Sequence, residues 1–167
     1  MDNIKKRDIE KKLIQYGIKN YYINDDLTVD VDGDLNTSTL AQCLIDVKFG
    51  TINGDFDCSR LGLKSLINCP IVVKGDYKIS HNRLVRLEGI AEYIGGDLWI
   101  QNNYLNELNF YNSNIIGEIY CWGNKDIEDI IQIYSYGEKK GDEKIGSLKS
   151  YYTLIRREEK INQIINE

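Results

Sequence analysis

The stretch that decides the fold is IGGDLWIQNNYLNEL, residues 94–108. Within it Leu98, Ile100, Asn103, Leu105 and Leu108 fall at the spacing L-x-L-x-x-N-x-L-x-x-L. Gly96, two residues ahead of Leu98, belongs to a longer series. Gly33, Gly54, Gly75, Gly96 and Gly117 recur every 21 residues, and each is followed by an acid: Asp34, Asp55, Asp76, Asp97 and Glu118. One Gly-Asp pair carries no information, but five in phase mark a repeat. A unit of this length cannot bury its own apolar face, so the units must stack.

Counting from each glycine sorts the chain into columns. Two residues before stand Val31, Ile52, Val73, Ile94 and Ile115; two after stand Leu35, Phe56, Tyr77, Leu98 and Ile119; four after stand Thr37, Cys58, Ile79, Ile100 and Cys121. With the glycines between them, these columns predict the inward face of a parallel sheet. Leu63, Leu84 and Leu105 (nine after) and Ile45, Leu66, Leu87 and Leu108 (twelve after) fill the core from the returning arc. The arcs carry turn chemistry, as in Asn68-Cys69-Pro70 and Asn112-Ser113-Asn114. Seven after the glycine come Asn82, Asn103 and Asn124, the position where leucine-rich repeats bury an Asn bonded to the backbone of the bend, although Leu40 and Leu61 stand there in the first two units. The pattern is that of a leucine-rich-repeat-like solenoid, a parallel β-sheet of 21-residue units with short irregular convex arcs and helical caps at both ends.

The flanks supply those caps and the domain limits. Residues 1–20 form an N-terminal capping helix, with Ile4, Ile9, Leu13 and Ile14 on one face and Gly17 as its stop. The solenoid takes residues 21–124 and opens with a hairpin in which Tyr21–Ile23 pairs with the alternating run Val29–Leu35. Residues 125–137 read as a C-terminal capping helix, 138–149 as a polar linker, and 150–167 as an amphipathic helix. That last helix either folds back on the cap or joins two copies in a homodimer through residues 150–166.

Composition narrows the function. The chain has 167 residues, 28% of them charged, and a net charge of −5. Residues 25–124 hold 7 basic and 14 acidic side chains, a net of −7, so the repeats carry the negative field. Phosphate contact needs clustered Lys and Arg, which argues against direct nucleic-acid binding and for a basic protein partner. No apolar run is long enough to span a bilayer, and the opening MDNIKKRDIEKK has no apolar core, so the chain reads as an intact cytoplasmic product. Cys43, Cys58, Cys69 and Cys121 match no zinc spacing. Cys58 and Cys121 are three repeats, about 14 Å, apart at strand spacing, which is too far for a disulfide. The single histidine, His81, reads as a surface residue of a bend; no Ser or Cys has a basic partner and no phosphate loop is present, so neither enzyme activity nor a cofactor is assigned.

The acidic column is the first candidate site. Equivalent carboxylates in a parallel stack lie about 4.8 Å apart and repel. Three readings are open: calcium held between neighbours, carboxylates accepting backbone N–H groups at the bend, or a recognition surface. Two outward columns adjoin it. Three after the glycine stand Asn36, Asp57, Lys78, Trp99 and Tyr120; five after stand Ser38, Ser59, Ser80, Gln101 and Trp122. Aromatic anchors with rimming charge suit a protein-binding hot spot, which makes Asp76, Asp97, Trp99, Gln101, Glu118, Tyr120 and Trp122 the candidate partner-binding residues. The alternative is that the C-terminal segment covers these rings.

Residues 28–124 resemble the leucine-rich-repeat-like proteins of tailed bacteriophages and prophages, whose tandem units run V-x-G-D-F-x-C-S-x-N-x-L-x-S-L-E-G-x-P. The matching stretches are INGDFDCSRLGLKSLINCP and VKGDYKISHNRLVRLEGIAEYIGGDLWIQNNYL, preceded by the lead-in IKNYYINDDLTVDVDGDL. The resemblance implies a scaffold in a bacterial host cell. On that basis the chain is expected to be a non-enzymatic protein-binding module, an acidic inhibitor of a host-defence nuclease or RNA-guided effector (anti-CRISPR-like). The alternative implied is an assembly protein of the phage particle that self-associates through its C-terminal helix. Trp99, Tyr120, Trp122 and residues 138–167 depart from the family pattern.

Overall fold

The computed structural model describes residues 2–36, 41, 44, 46–108 and 112–124. The chain begins with α1 (Asp2–Gln15) and continues through ten short strands. These are β1 (Tyr21–Ile23), β2 (Val29–Val31), β3 (Phe49–Ile52), β4 (Phe56–Asp57), β5 (Val72–Val73), β6 (Tyr77–Lys78), β7 (Tyr93–Ile94), β8 (Leu98–Trp99), β9 (Asn114–Ile115) and β10 (Ile119–Tyr120). They wind into a parallel-strand β-solenoid of about four turns with a spacing of about 21 residues.

The sheet differs from the expected single one. The opening hairpin gives β1 and β2 to a six-stranded sheet, ordered β1-β2-β3-β5-β7-β9, and from β3 on each turn gives one strand to that sheet and another to a four-stranded sheet, ordered β10-β8-β6-β4. The chain turns between them at each Gly-Asp step. Val31, Gly33 and Leu35 alternate as one strand would, but Gly33 at φ 121° ends β2, and Leu35 keeps only an isolated bridge to Phe56. From β3 onward registers stay in phase, with Val72 opposite Tyr93 in one sheet and Tyr77 opposite Leu98 in the other, whereas β2 and β3 slip by one residue between Val29–Phe49 and Val31–Ile52. Among the described residues only the opening hairpin is antiparallel, with Tyr21 opposite Val31.

The core is the set of columns read from the sequence. Val31, Ile52, Val73, Ile94 and Ile115 are buried from one sheet, and Leu35, Phe56, Tyr77, Leu98 and Ile119 from the other. Cys58, Ile79, Ile100 and Cys121 extend the second set, while Leu66, Leu84, Leu87 and Leu105 close it from the arc. Cys58, Cys69 and Cys121 are free thiols in this core; burial pushes Cys121 up to about 12. At about 25 cal/mol per Å² of apolar area, stacking these columns is the main driving force of the fold.

The bends are held by asparagines. Asn103 Oδ1 accepts the Leu84 N–H at 3.1 Å, and its Nδ2 donates to Ile79 O and Ile100 O at 3.0 and 3.1 Å. Asn82 does the same for Leu61, Leu63, Cys58 and Ile79, and Asn124 for Leu105, Ile100 and Cys121. Each asparagine ties the bend of its own turn to the turn before. The residue before that position is left-handed in each of these turns and in the turn ahead of them, where Leu61 replaces the asparagine: Arg60 at 63°, His81 at 56°, Asn102 at 55° and Gly123 at 71°. His81 is therefore an exposed bend residue, its ring within 3.2 Å of Ser80 Oγ and Asn102 Nδ2.

Helix α1 ends as predicted at Gly17, where φ is 71°. Gly17 N donates to Ile14 O and Ile18 N to Leu13 O, at 3.0 and 2.9 Å, which satisfies two terminal carbonyls. The apolar face is narrower than expected. Leu13 and Tyr16 are buried and Ile9 is half-buried, but Ile4 and Ile14 are 68% and 67% exposed. Ile14 lies one residue, about 100° of helix, beyond the Leu13 stripe. Tyr16 donates to Asp46 and Lys6 pairs with Asp25, fixing the helix to the first turn. Among the described residues α1 is the one helix assigned end to end. The expected elements at 125–137, 138–149 and 150–167 lie outside the described residues, as do Ile45, Thr37, Ser38 and Leu40.

Candidate functional site: the carboxylate corner and its aromatic flank

In a regular strand, successive N–H groups point to alternate neighbours. The corner breaks that rule. Lys74, Gly75 and Asp76 all donate toward the preceding turn, to Ile52 O, Gly54 O and Asp55 Oδ1 at 3.0, 3.0 and 2.9 Å. The third N–H meets a carboxylate because no carbonyl is left for it. The same bond links Asp55 N to Asp34 Oδ1, Asp97 N to Asp76 Oδ1, and Glu118 N to Asp97 Oδ1, at 2.8, 2.9 and 2.8 Å. Of the three readings of the acidic column, backbone acceptance is therefore built into the fold. The carboxylate also explains the glycines, since a Cβ on Gly54, Gly75, Gly96 or Gly117 would overlap the Oδ1 atom and backbone of the turn before. Among the described residues no group of three or more His, Cys, Asp or Glu side chains is arranged to hold a metal ion.

Each ladder carboxylate has its second oxygen to spare. Lys78 uses two of them, lying 2.9 Å from Asp55 Oδ2 and 3.3 Å from Asp76 Oδ2. Burial disfavours the charge on Asp55, but the Asp76 N–H and the Lys78 ammonium outweigh it and hold its pKa below the ordinary 3.8. Lys78 is raised in return, chiefly by its bond to Asp55. Asp55 thus binds a proton less readily folded than unfolded, so its contribution is complete above about 3.8 and disappears as pH falls below that value. Asp55→Asn is expected to flatten the acid limb of the stability curve below about pH 4, read by urea midpoints.

The flank places its residues unevenly. Trp99 and Tyr120 stack at 4.0 Å with planes 20° apart, and Trp122 meets Tyr120 edge-on at 5.8 Å. Trp122 is 40% exposed, and Tyr120 and Trp99 are half-buried. Trp99 is less open than its outward position predicts, because its ring is stacked on its neighbour, and its Nε1 is buried without a partner. Gln101 must be corrected more strongly. It is 7% exposed, and its Oε1 has no partner. Five residues after the glycine the chain is already entering the bend, where rungs of one column screen each other. Ser80 is likewise buried, donating to Ser59 Oγ at 3.1 Å. The accessible candidates are Trp122, Tyr120, Asp97 and Glu118, with Asp76 shared with Lys78. Burial, then the charges of Asp97, Glu118 and Asp76, raise the Tyr120 pKa, so the ring stands in a negative potential. Among the described residues no helix is long and apolar enough to cross a membrane.

No protein-family model, curated protein or solved structure matches this chain.

Proposed function

We propose that this chain is a leucine-rich-repeat-like binding scaffold, capped by α1 at one end and by residues 125–137 at the other, that grips a protein with a basic surface. One observation carries the reading. Trp99, Tyr120 and Trp122 form a continuous ring cluster beside Asp97 and Glu118, and no cation among the described residues pairs with either acid. Nothing in the stacking of the solenoid requires that composition, since Asp57 and Lys78 serve in the same column of earlier turns. A half-exposed aromatic rimmed by charge is how protein interfaces concentrate their affinity.

The resemblance to phage proteins supports a host protein as the partner. A surface of this sign would compete with nucleic acid for the basic channel of a defence nuclease or RNA-guided effector. Affinity capture from a bacterial host lysate tests the site. Trp122→Ala and Asp97→Lys are each expected to lower recovery of the captured protein at least about tenfold. Recovery unchanged by both substitutions would remove this face as the binding surface.

A further inference from the structure

The corner already shows how it handles a cation. The ammonium of Lys78 bridges the spare oxygens of two consecutive rungs, Asp55 Oδ2 at 2.9 Å and Asp76 Oδ2 at 3.3 Å. Both carboxylates keep Oδ1 on the backbone N–H of the following turn while they do so. The solenoid then repeats this arrangement with one change. Asp97 Oδ1 is held by the Glu118 N–H at 2.8 Å, just as Asp76 Oδ1 is held by the Asp97 N–H. The residues in register with Lys78 are now Trp99 and Tyr120. The next rungs thus have the same backbone and an unused carboxylate oxygen on Asp97. Among the described residues Glu118 has no further turn to serve, so its whole carboxylate is available. Where the earlier turn supplies its own cation, these turns supply rings.

We infer that the Asp97–Glu118 rungs take a guanidinium from the partner, so that the face recognises an arginine-bearing segment docked beside Tyr120 and Trp122. This rests on the protein-binding reading and names the chemistry of the group it grips. A lysine ammonium could bridge two carboxylates too, as Lys78 does in the earlier rungs. Arginine fits better because its planar, weakly hydrated guanidinium can hold both carboxylates through separate N–H groups while its face lies against a ring. Burial raises the Tyr120 phenol first, and the charges of Asp97, Glu118 and Asp76 add to it, which marks the same place electrostatically.

Both tryptophans of the chain, Trp99 and Trp122, lie in this patch, so tryptophan emission reports on it alone. The full-length chain is titrated with an oligoarginine peptide and an oligolysine peptide of equal length at low salt. The arginine peptide is expected to change the emission saturably and to bind at least about fivefold tighter than the lysine peptide. Asp97→Asn with Glu118→Gln is expected to weaken it at least about tenfold. The asparagine still offers an oxygen to the Glu118 N–H, so an unchanged unfolding midpoint shows that the corner is intact. Asp32→Asn with Asp34→Asn, at the other end of the solenoid, is expected to leave binding as it was. Equal affinity for the two peptides, no saturable change, or equal losses in the two double variants would each overturn the assignment. Binding that emerges only in Arg156→Ala/Arg157→Ala would assign the site to this chain's own C-terminal segment and overturn an external arginine. A captured protein released by Trp122→Ala but indifferent to Asp97→Asn/Glu118→Gln leaves the binding face standing and removes the arginine.

Discussion

Asn103→Ala is expected to cost about 2–4 kcal/mol, a large share of the about 5–15 kcal/mol that holds a domain of this size together. The side chain is 4% exposed and makes three bonds, to Leu84 N, Ile79 O and Ile100 O. Alanine orphans the buried Leu84 N–H, at about 1–3 kcal/mol of lost solvation, and takes one of two bonds from each carbonyl, at about 0.5–1.5 kcal/mol apiece, because Ile79 O keeps Asn82 Nδ2 and Ile100 O keeps Asn124 Nδ2. Relaxation of the bend and entry of water recover part of the sum, which lowers the upper end of the range. The damage also spreads, because Asn103 joins the bends of two turns and each turn is stabilised only by its neighbours. The urea midpoint is the measurement, with Asn106→Ala as the control three residues on. Asn106 is exposed, and its substitution is expected to stay within about 0.5 kcal/mol. If the two variants unfold together, the asparagine column is not what fixes the bends.

This column was legible in the sequence because it sits at the Asn position of the leucine-rich-repeat signature. The apolar columns were legible because period-two alternation inside a 21-residue period leaves no freedom about which side chains face inward. What alternation cannot report is a turn that preserves parity. Val31, Gly33 and Leu35 keep the rhythm of a strand across a corner, so two sheets read as one. A signal was present in the acids. Like charges stacked turn upon turn must be compensated, and the missing N–H partners at the corner supply the compensation. The left-handed column Arg60, His81, Asn102 and Gly123 was missed as well, although Asn, His and Gly are residues that tolerate positive φ. Gln101 failed for a related reason. Parity places it outward, but parity predicts exposure only while the strand lasts, and the strand ends at Trp99. In the aromatic flank the sequence placed Trp99, Tyr120 and Trp122 side by side, and their rings do meet. The stacking of Trp99 on Tyr120, and so the narrowing of the accessible set to Trp122, Tyr120, Asp97 and Glu118, depends on side-chain packing that no spacing encodes.

Gly96→Ala is expected to destabilise by about 3 kcal/mol, and Asp76→Ala is expected not to rescue it. The glycine columns invite two explanations, freedom of backbone dihedrals or lack of room, and this position separates them. Gly96 is not among the positive-φ residues, so dihedral strain does not require a glycine there. Room does. A Cβ at residue 96 would overlap Asp76 Oδ1 and also approach Asp76 N and Gly75 C at 2.8 Å. The carboxylate could swing away only by giving up the Asp97 N–H, and the backbone atoms could yield only by separating two turns bonded at Gly96 N to Gly75 O, 2.9 Å. Deleting the carboxylate in the double variant clears the first obstacle and not the second, while it orphans the Asp97 N–H. The double variant is therefore expected to be less stable than Gly96→Ala alone. Gly17→Ala supplies the contrast. Nothing lies within 4 Å of its Cβ position, and only its φ of 71° opposes alanine, so the expected loss is about 1 kcal/mol. Unfolding midpoints of the four variants decide the matter. Rescue of Gly96→Ala by Asp76→Ala would mean that the turns are spaced by the carboxylate alone and not by direct contact of backbone on backbone.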